Sequence, residues 1–314
     1  MSLNEADSHL AALLDRLKSL GYRFVPPTPE SHRRVVARFD KAEAADLRDI
    51  FGWSRPFPTE LLPPDLFALL DGAAVLRPAG DRFISEVRVA SMGDALFLHS
   101  AYPTNRVDSV FLGPDSYRFV RFLDRQLEGS PPVGRLVDIG AGSGVGAIMA
   151  ARHVPGAYLT LTDINPLALR FAKINARHNG VTIKALEGSG VDEIGDGIDL
   201  AISNPPFILD PASPAYRDGG AMHGALLSLD WTLAAAAKLA PGGRILLYTG
   251  SAIVAGEDRL AAALRERLPA LGCALRYDEL DPDIFGEQLD EPGYENVERI
   301  AAVGAVIVRL ADLD

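Results

Sequence analysis

Leu136-Val137-Asp138-Ile139-Gly140-Ala141-Gly142-Ser143-Gly144-Val145-Gly146 reads as a buried strand that opens through alternate glycines into a helix. Glycines so spaced let the backbone turn tightly and let a ligand approach without meeting a Cβ. A nucleotide-like cofactor lies over such a turn. Gly142-Ser143-Gly144-Val145-Gly146-Ala147 also satisfies the dinucleotide fingerprint that accepts alanine at its last position, so the turn alone does not choose the cofactor. A glycine-rich turn with no ligand is the third option.

Outward from this stretch the chain alternates strand and helix. Strand patterns fall at Arg135 to Ile139, Ala157 to Asp163, Thr182 to Glu187, Ile198 to Ser203 and Arg244 to Tyr248, with helical stretches between most of them. Such alternation predicts an α/β fold with a doubly wound, Rossmann-like parallel sheet. Ala274 to Tyr277 and Val303 to Arg309 add two strands, joined by an acidic loop from Asp278 to Asn296.

The first hundred residues follow another pattern. Leu10, Leu13, Leu14, Leu17 and Leu20 recur at helical spacing, Pro26-Pro27 and Pro29 break the chain, and a second helical stretch is expected from Glu30 to Phe51. A short helix near Pro64 to Leu70 precedes strands at Ala74 to Arg77 and Arg82 to Val89, with Ala95 to Leu98 following Gly93-Asp94. Helices followed by a hairpin can form a winged-helix-like module. We therefore expect a smaller N-terminal α+β domain over 1–106, a linker from Val107 to Pro114, a helix from Asp115 to Leu127, and the larger domain over 107–314.

The 42 acidic and 31 basic residues give a net charge of -11, which disfavours broad adhesion to nucleic acid or anionic membrane but leaves room for a local basic patch. Arg33, Arg34, Arg38 and Lys41, interrupted by Asp40, could touch phosphate or be a solvated helix face. Cys273 stands alone, so neither an internal disulfide nor a thiolate zinc site is expected. The six histidines, His9, His32, His99, His153, His178 and His223, show no metal spacing. The N-terminus carries acids where a secretory signal carries bases, and no apolar run approaches the roughly 18 residues of a membrane span. These readings predict a cytoplasmic protein with neither membrane nor metal, and its alanine and glycine usage suggests a bacterial source.

Two further motifs carry chemistry. Asp163 ends the strand Leu159-Thr160-Leu161-Thr162-Asp163, about twenty residues beyond the glycines, where a carboxylate can accept both ribose hydroxyls of an adenosine cofactor. Asp-Ile-Asn-Pro equally suits a local cap on the helix beginning near Pro166. Asn204-Pro205-Pro206-Phe207 follows the apolar strand Ile198 to Ser203, and its prolines hold the Asn204 and Pro205 carbonyls in one direction. An exocyclic amine or primary amide is a poor nucleophile because its lone pair is delocalised. If the Asn204 side-chain oxygen and the Pro205 backbone oxygen accept its two N–H groups, the nitrogen is aimed at an electrophile. Phe207 is expected to offer a flat stacking face. A proline-fixed turn with a buried phenylalanine is the plain alternative.

From about Val107 to Ile253 these motifs resemble the class I, S-adenosylmethionine-dependent methyltransferases of the "methyltransferase small" group. That group includes release-factor glutamine methyltransferases, ribosomal RNA guanine-N2 methyltransferases and relatives acting on adenine N6. The resemblance implies a seven-stranded methyltransferase sheet and S-adenosyl-L-methionine as cofactor. It places Asp138, Gly140, Gly142 and Gly144 on the methionine part, Ala141 at the cofactor beside them, Asp163 on the ribose, Glu187, Gly188 and Ile164 around the adenine, and Asn204, Pro205 and Phe207 at the target nitrogen, with Asn204 also touching the cofactor. The segment into Val110-Phe111-Leu112-Gly113-Pro114-Asp115-Ser116 and the glycines of Asp218-Gly219-Gly220 and Gly224 resemble the glutamine branch. Phe207, where that branch usually has tyrosine, is more familiar in the ribosomal RNA enzymes.

The implied function is N-methyl transfer to a planar nitrogen, with a protein glutamine first and a nucleic-acid base amine second. A nicotinamide-dependent dehydrogenase would share the glycine turn and the ribose carboxylate, but has no use for Asn204-Pro205-Pro206-Phe207. A non-catalytic cofactor-binding scaffold has no use for Asn204 and Phe207 either.

Overall fold

The leucine stripe forms helix α1 (Glu5–Ser19), whose N-cap Asn4 accepts the Asp7 N–H through Oδ1 at 2.7 Å. The computed structural model describes residues 3–38, 43–209 and 219–311. The expected helix from Glu30 to Phe51 is instead two, α2 (Pro29–Val36) and α3 (Leu47–Phe51). The second helix starts afresh because Asp46 caps it, taking the Asp49 N–H on Oδ1 at 2.9 Å. Helix α4 (Pro64–Gly72) follows as expected.

The strand expected from Arg82 to Val89 is also split. Strands β1 (Leu76–Ala79) and β2 (Arg82–Ser85) form one hairpin, and β3 (Val87–Met92) and β4 (Ala95–Ser100) form another. Ser85 makes the break, since its Oγ donates to Val87 O at 2.7 Å and accepts from Val87 N–H, turning the chain locally instead of extending it. Helix α5 (Pro114–Leu127) then leads into the strand–helix alternation.

That alternation runs β5 (Arg135–Ile139), α6 (Val145–Ala150), β6 (Tyr158–Asp163), α7 (Pro166–His178), β7 (Ile183–Glu187), β8 (Ile198–Ser203), α8 (Leu226–Lys238) and β9 (Leu239–Val254). It ends with β10 (Glu257–Asp258), α9 (Arg259–Arg267), β11 (Cys273–Asp281) and β12 (Arg299–Arg309). The strand order is β11-β12-β9-β8-β5-β6-β7, with the two-residue β10 paired to β9, giving eight strands in all. From β9 through β7 the strands are parallel, whereas β12 lies antiparallel to β9 and β11 antiparallel to β12. β11 extends to Asp281, so the acidic connection to β12 begins at Pro282.

The chain divides into two compact units. One comprises Met1–Arg118, Gly142–Ile148 and Pro166–Thr182, and the other Phe119–Ala141, Met149–Asn165 and Ile183–Asp314. In the first, Leu10, Leu13, Leu14 and Leu17 of α1 share a core with Leu66 and Leu70 of α4, with Val89 and Leu98 of the second hairpin, and with Phe171 and Ile174 of α7. Asn175 of α7 brackets β4, accepting the Leu98 N–H on Oδ1 at 2.7 Å and donating from Nδ2 to Leu98 O at 3.0 Å. In the second unit, Val137, Ile139, Ile198, Ala201, Ile245 and Leu247 form a layer against α8 and α9, and the alanine run lets α8 lie close, with Ala235 and Ala236 buried.

The first unit buries a cationic cluster. Arg88 Nε donates to Ser100 O at 3.0 Å, and its Nη1 lies 3.4 Å from His32 Nδ1. His32 Nε2 is 3.1 Å from the Trp53 carbonyl, which can only accept, so Nε2 carries the proton and Nδ1 accepts from Arg88. The neutral imidazole thus uses both nitrogens, and its ring stacks on Tyr102 at 4.0 Å. Burial first, then the Arg88 charge, pushes the His32 pKa from 6.5 down to about 4. A depressed histidine means that the unfolded chain binds more protons across this window, so stability is full above pH 6.5 and falls towards pH 4. Melting curves at about pH 7 and about pH 5 should show a larger loss for the wild type than for His32→Gln, whose amide can keep both contacts without titrating. Equal losses would remove His32 as the cause.

Candidate active site

The parallel register brings four strand ends level. Ile139 of β5 pairs with Thr162 of β6 and Ser203 of β8, and Asp163 pairs with Glu187 of β7. Neighbouring strands lie about 4.8 Å apart, so the ends of β8, β5, β6 and β7 span roughly 14 Å. Asp138, Gly140, Ala141, Asp163, Ile164, Glu187, Gly188 and Asn204 all fall on or just past this carboxyl edge, where open α/β sheets bind ligands. Gly142 and Gly144 continue the turn.

The glycine turn needs its glycines. Gly140, Gly142 and Gly144 have φ of +68°, +53° and +79°, in the left-handed region that side chains rarely adopt. The Gly140 and Ala141 N–H groups both donate to Thr162 O, at 2.9 and 3.0 Å, which fastens the turn to β6. A Cβ on Gly142 would meet nothing within 4 Å, so the backbone there is open to an incoming group. Asp138, 2% exposed, stands at the end of β5 just before the turn.

Asp163 Oδ1 accepts the Asn165 N–H at 2.9 Å, so the local turn leading into α7 is present and fixes the carboxylate's direction. Gly188 N–H donates to Asp163 O at 3.1 Å, tying the end of β7 to that of β6. Ile164, 46% exposed, is an apolar surface beside that carboxylate. An open glycine backbone, a carboxylate at each of two strand ends and an exposed aliphatic face suit a cofactor with a polar sugar and an apolar base.

Trp231 of α8 has no counterpart in the sequence reading. A Cβ on Gly140 would lie 2.7 Å from its ring, and one on Gly190 3.0 Å from it. Thr162 Oγ1 also donates to Gly190 O at 2.8 Å. One indole and one threonine therefore hold the glycine turn and the segment after β7 at a set separation. The only sequence signal was a tryptophan in an alanine-rich helix.

Asn204, directly after β8, supplies the most telling atom. Its Oδ1 is buried and has no hydrogen-bond partner among the described residues. Buried polar atoms are nearly always paired, and leaving one unpaired costs about 1–3 kcal/mol. Such an oxygen can accept a donor from beyond the described residues.

Phe207 does not offer the exposed face expected of it. It is 9% exposed, its ring covers Gly250 so closely that a Cβ there would lie 2.3 Å away, and it packs on Phe285 with ring centres 5.6 Å apart. The ring is a wedge that anchors the end of the motif. Gly219 and Gly224 are packed backbone to backbone on the same segment: a Cβ on Gly219 would lie 2.7 Å from Pro206 O, and one on Gly224 2.4 Å from Phe207 O. Gly219 N–H donates to Ile208 O at 2.9 Å. Met222, His223 and Gly224 carry φ of +58°, +54° and +91°, a strained run that brings Gly224 into place. Asp218 lies outside the described residues, as do Asp40 and Lys41.

The basic face on α2 is partly compensated. Arg33 and Arg34 both pair with Glu30, at 2.7 and 2.6 Å, while remaining largely in solvent. That arrangement fits a solvated helix face.

Comparison with known proteins agrees with this geometry. The methyltransferase small domain model matches residues 117–251. The release factor glutamine methyltransferase of Deinococcus radiodurans is 32% identical over 165 residues, covering 49% of this chain and 55% of that protein. The release factor glutamine methyltransferase of Bordetella pertussis is 31% identical over 187 residues, covering 58% of this chain and 68% of that protein. The ribosomal RNA small subunit methyltransferase C of Hahella chejuensis is 42% identical over 73 residues, covering 23% of this chain and 21% of that protein. The chain thus spans about half the length of the Deinococcus relative. With its strand-end carboxylates, its glycine turn and its unpaired Asn204 oxygen, the chain belongs to the methyltransferase small-domain family, and its cofactor is S-adenosylmethionine.

Proposed function

We propose that this protein is an N-methyltransferase whose acceptor is a planar amide nitrogen, the side chain of a protein glutamine. The observation that carries the reading is the buried, unpartnered Oδ1 of Asn204 at the end of β8. S-adenosylmethionine, when bound, supplies an electrophilic methyl on a sulfonium. Asn204 Oδ1 and the Pro205 carbonyl then accept the two N–H groups of the acceptor and hold its lone pair in line. As positive charge develops on that nitrogen its N–H groups become stronger donors, so both oxygens hold the transition state more tightly than the ground state. Positioning of this kind can supply about 7–11 kcal/mol, so no general base is needed to reach the transition state; the methyl's bond to sulfur breaks to leave a thioether, and the methylated nitrogen gives its surplus proton to water.

The choice of a protein acceptor rests on two supports. The Deinococcus and Bordetella relatives are named for release factor glutamine. The connection between β11 and β12, whose Phe285 and Tyr294 contact the acceptor segment, exposes Asp283, Glu287, Asp290, Glu291, Glu295 and Glu298. Phosphates brought to this rim would be repelled. A nucleic-acid base amine is the second reading, favoured by Phe207 in place of tyrosine and by the Hahella relative.

Incubation with methyl-labelled S-adenosylmethionine and a desalted cell extract, followed in parallel by protease and by nuclease, separates them. Label released by protease alone is the expected result. Release by nuclease alone would replace the glutamine reading with the base amine.

A further inference from the structure

The connection between β11 and β12 reaches the acceptor segment at three points. Tyr294, 1% exposed, accepts the Leu209 N–H on its hydroxyl oxygen at 2.7 Å, two residues past Phe207. Phe285 rests its ring on Phe207, and a Cβ on Gly293 would lie 2.9 Å from Leu209. The connection is itself anchored, since Ile284 N–H donates to Ile300 O of β12 at 2.7 Å.

Phe285 has φ +57°, a left-handed backbone that is a genuine outlier for a bulky residue. Such a conformation persists only where its surroundings impose it, and these outliers gather at functional sites. Here the strained backbone sits where the ring meets Phe207.

We propose that Tyr294 and Phe285 are positioning residues for methyl transfer, which fix the direction of the Asn204 and Pro205 oxygens by clamping the downstream end of the acceptor segment. This inference rests on the acceptor role of Asn204. The upstream end is set by β8, where Ser203 Oγ donates to Ile139 O at 2.9 Å, and two prolines stiffen the middle. Gly219 N–H on Ile208 O and the Phe207 ring on Gly250 also hold this stretch, so loss of the clamp leaves Phe207 to Leu209 restrained on one side only, and tilting the carbonyls misaims the nitrogen. Misplacement by about 1 Å can lower a rate about a hundredfold. Neither residue needs to touch cofactor or acceptor for this.

Tyr294→Phe removes only the hydroxyl. The measurement is the initial rate of label incorporation from S-adenosylmethionine into desalted extract, with S-adenosylmethionine affinity by equilibrium dialysis and the melting temperature alongside. We expect a rate at least about tenfold lower well below the melting temperature, with cofactor affinity unchanged, and faster amide exchange in the peptide containing Leu209. Phe285→Leu, which keeps an apolar contact but loses the ring, should show the same split and stands in if the tyrosine variant does not fold. Asn204→Ala is run beside them. If it loses incorporation while Tyr294→Phe and Phe285→Leu retain the wild-type rate, the clamp is overturned and the acceptor reading stands. If Asn204→Ala also retains the wild-type rate, the acceptor reading falls and the clamp with it.

Discussion

Asn204→Ala should lower methyl transfer by a factor of about a hundred to a thousand while S-adenosylmethionine still binds and the melting temperature does not drop. The stability part is unusual for a buried polar truncation. Removing a paired group leaves its partner stranded, but Asn204 Oδ1 has no partner among the described residues to strand. Its deletion relieves an unsatisfied oxygen, so the melting temperature should hold or rise. The activity part follows from orientation: with one of two acceptor oxygens gone, the lone pair of the target nitrogen is no longer fixed in line. Loss of about 2.7–4 kcal/mol of transition-state stabilisation is the scale seen when a preorganised hydrogen-bond partner is removed. Labelled-cofactor dialysis, incorporation rates and a thermal melt on the same preparation check all three. A variant that keeps its rate would take the acceptor role from Asn204, and one that melts early would make that oxygen structural.

Gly224→Ala should silence the enzyme through the backbone alone. The new Cβ would lie 2.4 Å from Phe207 O and 2.5 Å from its carbonyl carbon, and no rotamer can relieve a clash between Cβ and main chain. The residue also sits at φ +91°, where alanine is strained. Strain and steric conflict together should cost about 2–4 kcal/mol, or about 5–15 °C in melting temperature. Because the clash falls on the acceptor segment, the rate should fall at least about a hundredfold, with cofactor affinity kept within about threefold. Gly156→Ala is the control, since its φ is +83° but nothing lies within 4 Å of the added Cβ. It should show the backbone strain without loss of rate. Equal behaviour of the two variants would mean that the Gly224 contact with Phe207 is unimportant.

Legibility from sequence followed the range of the forces involved. β5 and β8 match their sequence reading residue for residue, because parallel strands buried on both faces are largely apolar runs, interrupted here by Asp138 and Asp199, and bounded by glycine or proline. The apolar pattern predicts Arg244 to Tyr248 for β9, which runs from Leu239 to Val254. Gly250 looks like a strand breaker, yet it is a strand position kept bare so that the Phe207 ring can cover it. The split at Ser85 and the fresh cap at Asp46 turn on single side-chain hydrogen bonds, which periodicity does not register. The glycine turn, Asp163 and Asn204-Pro205-Pro206-Phe207 were readable because the chemistry proposed for them depends on short spacings. Trp231, Phe285 and Tyr294 were not, since each meets its partner across a large stretch of chain and carries no local pattern.

The first unit is not a cassette at the front of the gene. Helix α7, encoded between two strands of the sheet, gives Leu167, Ala168, Phe171 and Ile174 to the core that Leu10, Leu13, Leu14 and Leu17 begin. Cutting the chain near residue 106 would therefore leave α7 with a bare apolar face in one fragment and a core short of one wall in the other. Neither piece should stay soluble when expressed alone, and co-expression of the two should restore both. Genetic exchange of the N-terminal region between relatives would have to carry matching residues of α7 with it, so that both parts of this core are inherited together.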